Sequence, residues 1–277
     1  MQLIALIASL PRFSDLLNIS IPSIAAQSLK PDAIIVVSDN KKLTNNEKKL
    51  LSEILKKTKI YFIHNLHSPG VAGAWNTGID YINKYFNKSY IAILDDDDIW
   101  LPNHLSVCSE LAKVNNADLI VSGLGVLKKN IVVAENIPNN LKLTDFLVGN
   151  PGWQGSNTFI RLSTILAAGG FTNGLISSND KDLAINVLSI KGLIISYSKI
   201  VTVHWQCGHN PEALSASGSM QKLKGSAQFM FLHGKKMQPE QKQEYYNRMK
   251  LLFDLNKKNI VAELEKIKKY GIKRISN

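Results

Sequence analysis

The strongest constraint on the fold is the regular alternation of apolar strands and helices in the first half of the chain. Five short runs are almost entirely apolar, at residues 2–10, 33–38, 60–64, 90–94 and 118–126. Runs of this length without polar alternation are typical of strands buried on both faces. The segments between them predict helices over 45–57, 71–86 and 103–115. This order favours an α/β fold, with a Rossmann-like, mostly parallel sheet flanked by helices.

Composition narrows the class of protein further. A chain of 277 residues that is 45% hydrophobic and 20% charged is not collagenous, coiled-coil or disordered. No apolar run reaches the ~18 residues that span a bilayer, and no Lys or Arg precedes the apolar start as in a secretory signal. Two cysteines, Cys108 and Cys207, are too few for a disulfide framework or a multi-cysteine zinc site. We therefore expect a cytoplasmic protein.

The positive charge is concentrated at the end of the chain. The net charge is +11, yet residues 1–220 contain 19 basic and 17 acidic residues, against 14 and 5 in residues 221–277. Of the 33 basic residues 29 are Lys, whereas nucleic-acid readers favour Arg, so we expect no nucleic-acid partner. The sequence predicts a domain over 1–220 followed by a basic helical extension over 221–277. Within the domain we expect a nucleotide-binding half over about 1–128 and an acceptor half over about 129–220.

The most conspicuous chemical feature is the run YIAILDDDDIW, residues 90–100, in which Asp95, Asp96, Asp97 and Asp98 follow a predicted strand. Adjacent carboxylates repel one another and require a counter-ion. Oxygen ligands at the carboxyl end of a strand suit Mn²⁺ or Mg²⁺ bridging a substrate phosphate. The alternative is a solvated acidic loop. The apolar residues on both sides argue against a floppy loop, so we expect a metal site.

Three further places carry polar residues that could serve a ligand. Asp39 ends the second strand and could bind a nucleobase or ribose, although with Asn40 it is also a turn former. Asn76 lies in the first turns of a helix that small residues open, where a phosphate or sugar could bind, or where the helix simply packs closely. Asp180 and Asp182 begin a later helix. Capping explains one of them, and the other is a candidate general base.

Together these motifs resemble a known family. The order of AIIVVSDN, GVAGAWNTGI, ILDDDDIWLPNHL, the Gly169-Gly170-Phe171 turn and NDKDLAINV is similar to that of the family 2 glycosyltransferases, over roughly residues 3–206. The resemblance implies a GT-A fold with a helical C-terminal extension. It also implies an inverting transferase that uses a nucleotide-diphosphate sugar, with a UDP-sugar favoured, and Mn²⁺ or Mg²⁺. The acceptor would be a hydroxyl, on a glycan or a lipid-linked glycan.

The resemblance assigns roles to individual residues. Asp39 would contact the nucleobase or ribose, with Asn76 and Asp96 also in the donor site. Asp95 and Asp97 would be the two acids of the DxD motif, and Asp97 would be the direct metal ligand. Asp180 would be the catalytic base, and Asp182 the fallback.

The sequence departs from the family pattern at three places. Leu10-Pro11-Arg12 replaces an opening Tyr-Asn, Trp75 stands where relatives commonly have Arg, and Asn179 replaces the Glu of a Glu-Asp pair. The base position is retained. These departures bear on the identity of the donor more than on activity.

Other expectations concern the second half of the chain. Trp153 could stack on an acceptor sugar if exposed, or be a buried structural residue. His209 could reach the diphosphate or metal, or have no ligand. The apolar stripe and lysines of 257–270 predict an amphipathic helix, so 257–277 either lies on a membrane surface or docks on the domain. Two other functions stay open: a sugar nucleotidyltransferase, and a non-catalytic carbohydrate- or membrane-binding module.

Overall fold

The computed structural model describes residues 1–10, 12–56, 58–208 and 217–271. The strands in this part are Gln2–Ser9 (β1), Ala33–Ser38 (β2), Lys59–His64 (β3), Ser89–Asp95 (β4), Ile99–Trp100 (β5), Leu119–Lys128 (β6), Ile131–Asn136 (β7), Thr158–Arg161 (β8) and Ile195–Gln206 (β9). The helices are Phe13–Asp15 (α1), Ile21–Ala25 (α2), Asn45–Leu55 (α3), Val71–Tyr85 (α4), His104–Val114 (α5), Leu143–Val148 (α6), Leu162–Ala167 (α7), Asn179–Leu188 (α8), Met220–His233 (α9), Pro239–Phe253 (α10) and Lys257–Tyr270 (α11).

The first four strands form the parallel part of the sheet. β1 pairs in parallel with β2 and β4, and β2 pairs in parallel with β3. Successive residues of β1 enter two separate apolar clusters: Ile4 and Leu6 belong to one, Ala5 and Ile7 to the other. Both faces of the sheet are therefore covered, which is why these strands read as continuous apolar runs. The predicted α/β fold is confirmed.

The remaining strands extend the sheet in the order β3-β2-β1-β4-β8-β6-β9-β5, with β7 paired to β6. β8 is antiparallel to both β4 and β6, so β6 runs in the same direction as β4. The carboxyl ends of β1, β2, β4 and β6 consequently lie at one edge of the sheet. β9 pairs in parallel with β6, and its register is irregular near Val121 and Gly123.

The C-terminal helices pack onto one face of this sheet. Tyr245 of α10 and Ile260 of α11 lie in the same apolar cluster as Ile4 of β1. Ile260 and Ile267, on the predicted apolar stripe, are 0% and 1% exposed, and α11 packs mainly against α9. Of the two alternatives, docking on the domain is the one observed for α11, so its apolar stripe does not face lipid, and residues 272–277 lie outside the described part of the chain. No helix in the described ranges is long and apolar enough to cross a membrane.

Candidate active site

The four consecutive aspartates occupy two kinds of environment. Asp95 ends β4 and is half-buried, as is Asp97, whose side chain is 20% exposed. Asp96 and Asp98 are 0% and 1% exposed. The run is therefore not a solvated loop. Each buried carboxylate needs its own compensation within the protein.

Arg12 compensates part of this charge. Its guanidinium contacts the Asp96 carboxylate through Nη2, and Nη1 donates a hydrogen bond to Asp97 Oδ2 at 2.7 Å. Ser9 Oγ donates to the other oxygen of Asp96 at 2.8 Å. Burial raises the pKa of Asp96 to about 7, although the charge of Arg12 opposes the rise. Arg12 thus links the core-facing acid to the half-exposed one.

Asp98 connects the end of β4 to residues beside β8 and β9 through hydrogen bonds. Ser156 Oγ donates to Asp98 Oδ2 at 2.5 Å, and the backbone N–H of Gln206 donates to Oδ1 at 3.0 Å. Burial, followed by repulsion from Asp97, raises the pKa of Asp98 to about 8. Ser156 precedes β8 and Gln206 ends β9. Asp98 therefore has a structural role, because it connects the end of β4 to both of these strands.

Asp180 approaches the acidic run from α8. The helix begins after Ser178, whose φ of +69° is uncommon for a residue with a side chain. The backbone N–H of Gly155 donates to the Asp180 carboxylate. A side chain at Gly155 would come within 3.6 Å of Asp95 Oδ1 and 3.1 Å of the Trp75 ring. Gly155 therefore lies next to both acids, and its lack of a side chain leaves room for the Trp75 ring.

Burial perturbs the pKa values of both acids, and repulsion from neighbouring carboxylates adds to the perturbation of Asp95. Burial raises the pKa of Asp180 to about 6, opposed by the hydrogen bond from Gly155 and by the positive charge of Lys222. Burial also raises the pKa of Asp95 well above its ordinary value, and the charges of Asp98 and Asp180 raise it further. The structure thus brings together Asp95, Asp97 and Asp180, three of the acids that the sequence singles out.

The half-exposed acids fit a divalent cation. No described residue donates a hydrogen bond to the Asp95 carboxylate, and Asp97 binds Arg12 through one oxygen only. Closely spaced, poorly compensated carboxylate oxygens are the donors that Mg²⁺ and Mn²⁺ prefer. Among the residues described, no three His, Cys, Asp or Glu side chains form a ready-made cage. Asp95 and Asp97 would therefore share the ion with substrate oxygens and water.

Two predicted donor-site residues have protein partners. Asp39 is 2% exposed, and its oxygens accept from the backbone N–H of Gly70 at 2.6 Å and from Asn65 Nδ2 at 2.8 Å. The amide of Asn76 pairs with the peptide of Phe171, donating at 2.8 Å and accepting at 2.9 Å. Asn76 therefore joins α4 to the Gly169-Gly170-Phe171 turn. The packing alternative for Asn76 is therefore observed, and its contact with a donor stays a prediction.

The predicted acceptor-side residues also differ from expectation. Trp153 is 1% exposed and its Nε1 donates to Thr158 Oγ1 at 2.7 Å, so of its two alternatives the buried structural residue is the one observed. Asp182 is 1% exposed and pairs with His233 Nε2 of α9 at 2.7 Å, which turns it into the core instead of toward an acceptor. His209 lies outside the described residues.

Three residues near the site were not predicted to contribute to it. Arg12 is one of four arginines in a lysine-rich chain and follows β1 directly, which was a usable signal. Lys222 is buried at the start of α9, and its charge acts on Asp180. Trp75 stacks on Phe171 with ring centroids 4.3 Å apart, and its Nε1 has no hydrogen-bond partner among the described atoms. The contributions of Lys222 and Trp75 depend on contacts between segments that are distant in the sequence.

A mostly parallel sheet with acids at its carboxyl edge, met by an acid from a later helix, defines a GT-A-type glycosyltransferase fold. The sequence model described as "Glycosyl transferase family 2" matches residues 8–160, and the chain belongs to that family. The resemblance drawn from the motifs is confirmed.

Known proteins agree with this assignment. The chain is 28% identical over 119 residues to UDP-Glc:alpha-D-GlcNAc-diphosphoundecaprenol beta-1,3-glucosyltransferase WfgD of Escherichia coli, a match that covers 43% of this chain and 44% of that protein. The matched segment thus spans less than half the length of that relative. Among solved structures, TarS of S. aureus superposes with a TM-score of 0.60 at 12% identity, covering 94% of this chain and 45% of TarS.

Shorter forms of TarS superpose over the whole chain. TarS 1–349 in complex with UDP-GlcNAc gives a TM-score of 0.58 at 13% identity, covering 100% of this chain and 90% of that one. The complex of TarS 1–349 with UDP gives 0.57 at 14% identity, covering 100% and 89%. At these identities the superpositions establish the shared fold.

Proposed function

We propose that the protein is an inverting, metal-dependent glycosyltransferase that moves a sugar from a UDP-sugar to a hydroxyl group of a lipid-linked glycan. The convergence of Asp180 with Asp95 and Asp97 at the carboxyl edge of the sheet carries this proposal. Membership of family 2 supports the reaction class. The UDP complexes of TarS and the lipid-diphosphate acceptor in the name of WfgD support the two substrates.

Asp180 has the properties of a general base. Its pKa of about 6 leaves the carboxylate mainly ionised at neutral pH, yet makes it a stronger base than an ordinary aspartate. It would remove the proton from the acceptor hydroxyl as the oxygen attacks the anomeric carbon. One carboxylate on the acceptor side is enough for inversion.

Asp95 and Asp97 would hold the metal ion. When bound, such an ion supplies Lewis-acid stabilisation of the negative charge that develops on the leaving diphosphate. Arg12 orients Asp97 through the hydrogen bond from Nη1, and Ser9 and Arg12 hold the neighbouring Asp96 in the core. The buried acids thus keep the loop in place while the half-exposed acids face the ligand.

Asp39 would act in donor binding through the loop it organises. Its contacts to Asn65 and Gly70 hold together the end of β3 and the start of α4. A nucleoside that lies along the carboxyl edge of β2 would meet this loop. Because Asp39 is almost fully buried, we assign it to shaping the pocket, together with any contact that its remaining exposed surface permits.

A thermal-shift series tests the proposal. Wild-type protein is heated with UDP, GDP, CDP and dTDP, and with UDP-glucose and UDP-GlcNAc, each with and without Mn²⁺. We expect selective stabilisation by the uridine nucleotides that increases with Mn²⁺ and disappears in Asp97→Asn. Stabilisation by no nucleotide would refute a nucleotide-sugar transferase. Stabilisation that is identical with and without Mn²⁺ would refute only the metal dependence.

A further inference from the structure

The hairpin formed by β6 and β7 exposes apolar residues that no described segment covers. Every residue of β7 is exposed, and Ile131, Val132 and Val133 are 66%, 42% and 57% exposed. Ile137, just beyond the strand, is 46% exposed. Consecutive exposed β-branched residues are unusual on a soluble surface, and a contiguous patch of this kind marks an interaction site.

The hairpin projects from the same edge of the sheet as the candidate active site. Phe159 of β8 pairs with Ala92 of β4 and with Ile120 of β6, so Ala92 and Ile120 lie at one level. Asp95 is three residues beyond that level and Lys128 is eight. At about 3.4 Å per residue, the tip of the hairpin lies roughly 17 Å beyond Asp95 along the strand direction.

Positive charge accompanies the apolar residues at this tip. Lys128 ends β6, Lys129 and Asn130 form the turn, and all three residues are exposed. Both lysines line a cavity of about 760 Å³ between the turn, α2 and the end of β9. Trp100, Pro22 and Gln206 contribute to its other walls. The hairpin therefore places an apolar tip beside a lysine-lined cavity.

We propose that the β6–β7 hairpin docks the protein on an anionic lipid bilayer. Successive residues of a strand point to opposite faces, so Ile131 and Val132, which pair with Lys128 and Leu127, expose apolar side chains on both faces of β7, and Val133 adds to them at a β-bulge. A protein partner covers one face or the free edge of such a ribbon, whereas the interfacial layer of a bilayer surrounds a projecting tip on all sides. Lys128 and Lys129 match the negative charge of acidic lipid headgroups.

This inference extends the proposed function, because a lipid-linked acceptor would reach the active-site edge from the membrane on which the hairpin rests. It does not depend on the docked helix α11, whose apolar stripe is buried. Membrane contact is thus assigned to a different surface from the one that the basic C-terminal sequence suggested.

Vesicle co-sedimentation of the full chain tests the proposal. Vesicles of phosphatidylcholine alone are compared with vesicles that also contain phosphatidylglycerol. We expect binding to the anionic vesicles to fall at least tenfold in the triple variant Ile131→Thr, Val132→Thr, Val133→Thr, which keeps β-branched side chains in an exposed strand. The pair Lys128→Gln and Lys129→Gln should lose about fivefold per lysine. The matched control, Lys199→Gln with Ile200→Thr, alters an exposed pair on β9 and should bind as wild type does.

Three outcomes would overturn the proposal: no binding of wild type to anionic vesicles, equal binding by the triple variant, or equal loss in the control. If instead the triple variant converts a dimer to a monomer in sedimentation velocity without changing vesicle binding, the hairpin is an interface between two copies of the chain. The thermal shift with UDP is measured on the same samples. Failure of that shift alongside hairpin-dependent vesicle binding would refute the proposed transferase and leave the docking surface intact.

Discussion

The aspartates of residues 95–98 form two pairs that the fold uses in opposite ways. Asp96 and Asp98 point into the protein, where Arg12, Ser9, Ser156 and the Gln206 backbone compensate them. Asp95 and Asp97 are half-buried and have fewer compensating contacts. The chain turns at this point, with Asp96 and Asp97 in a turn and the backbone N–H of Asp98 donating to the carbonyl oxygen of Asp95, so the four side chains do not share one environment.

Two environments within one turn allow the acidic run to be both stable and reactive. The core-facing pair holds the loop against the sheet through hydrogen bonds, at the cost of raised pKa values. The half-buried pair, Asp95 and Asp97, keeps oxygens available for a cation, and Asp95 lies close to Asp180. Substitutions should therefore separate the two pairs, with loss of catalysis on one side and altered stability on the other.

The largest expected effect comes from Asp180, the acid from α8 that approaches the half-buried pair. Asp180→Asn removes the proposed base while keeping its shape and the hydrogen bond from Gly155. We expect kcat to fall by about 10²–10⁴-fold, with the thermal shift by UDP unchanged. A coupled assay that follows UDP release in the presence of an acceptor measures this rate.

Asp182→Asn is the matched control for this experiment, because Asp182 lies two residues along the same helix. It pairs with the buried His233, so the change should lower the free energy of unfolding by about 1–3 kcal/mol and leave kcat of the folded enzyme near that of wild type. If Asp182→Asn abolishes turnover and Asp180→Asn does not, the two roles are reversed.

The second effect tests the division within the run itself. Asp97→Asn should abolish the Mn²⁺-dependent part of the stabilisation by UDP and lower kcat by about 10²–10³-fold. Asp96→Asn alters the adjacent, core-facing acid and should retain the Mn²⁺ response. Titration of Mn²⁺ against the thermal shift provides the measurement. Equal loss of the Mn²⁺ response in both variants would contradict the separation of the two pairs.

The parallel part of the fold was predictable because its strands are buried on both faces. In runs such as Ala33–Ser38 the central four residues are β-branched and apolar, which favours a buried strand, and the structure has that strand with the same bounds. β7 was missed for the opposite reason: its six residues are all exposed and lack the alternation that marks a half-buried strand. β5 has two residues, too few to produce any pattern.

The site was predictable in its chemistry and less so in its geometry. Position along the chain identifies Asp95, Asp97 and Asp180 as acids at strand and helix ends. The partner of Asn76 is the peptide of Phe171, 95 residues away, and Arg12 binds Asp97 across 85 residues. Such pairings arise from tertiary packing and leave no local pattern. The burial of Trp153 is likewise set by neighbours, among them Phe146.

The third effect concerns stability on the core-facing side. The pKa of Asp98 is about 8 in the folded protein against an ordinary value of 3.8, so between these limits the folded state binds more protons than the unfolded state. This contribution to stability is fully present below about pH 4 and is lost as the pH rises toward about 8. Asp98→Asn removes the titration, and its amide can still accept from Gln206 and donate to Ser156.

Urea unfolding across that pH range measures the difference. We expect the free energy of unfolding of wild type to fall with rising pH and that of Asp98→Asn to fall less steeply. The variant should therefore gain stability relative to wild type as the pH increases. A steeper decline in the variant would show that Asp98 is ionised in the folded protein and that its two hydrogen bonds outweigh its burial.

The smallest effect concerns the positive charge of Lys222, which acts on Asp180, the proposed base. Lys222 is buried, and its positive charge holds the pKa of Asp180 below the value that burial alone would give. Lys222→Met removes that charge and keeps a long apolar side chain over Phe253, whose ring centroid lies 4.2 Å from Nζ in the wild type.

The pKa of Asp180 should rise above about 6, by less than about one unit. In a pH profile of kcat the acidic limb should shift upward, since a lower fraction of Asp180 is then ionised at each pH. Lys224→Met, two residues further along α9, should leave the limb in place. A shift to lower pH in Lys222→Met would mean that Lys222 acts on the rate by a route other than the charge of Asp180.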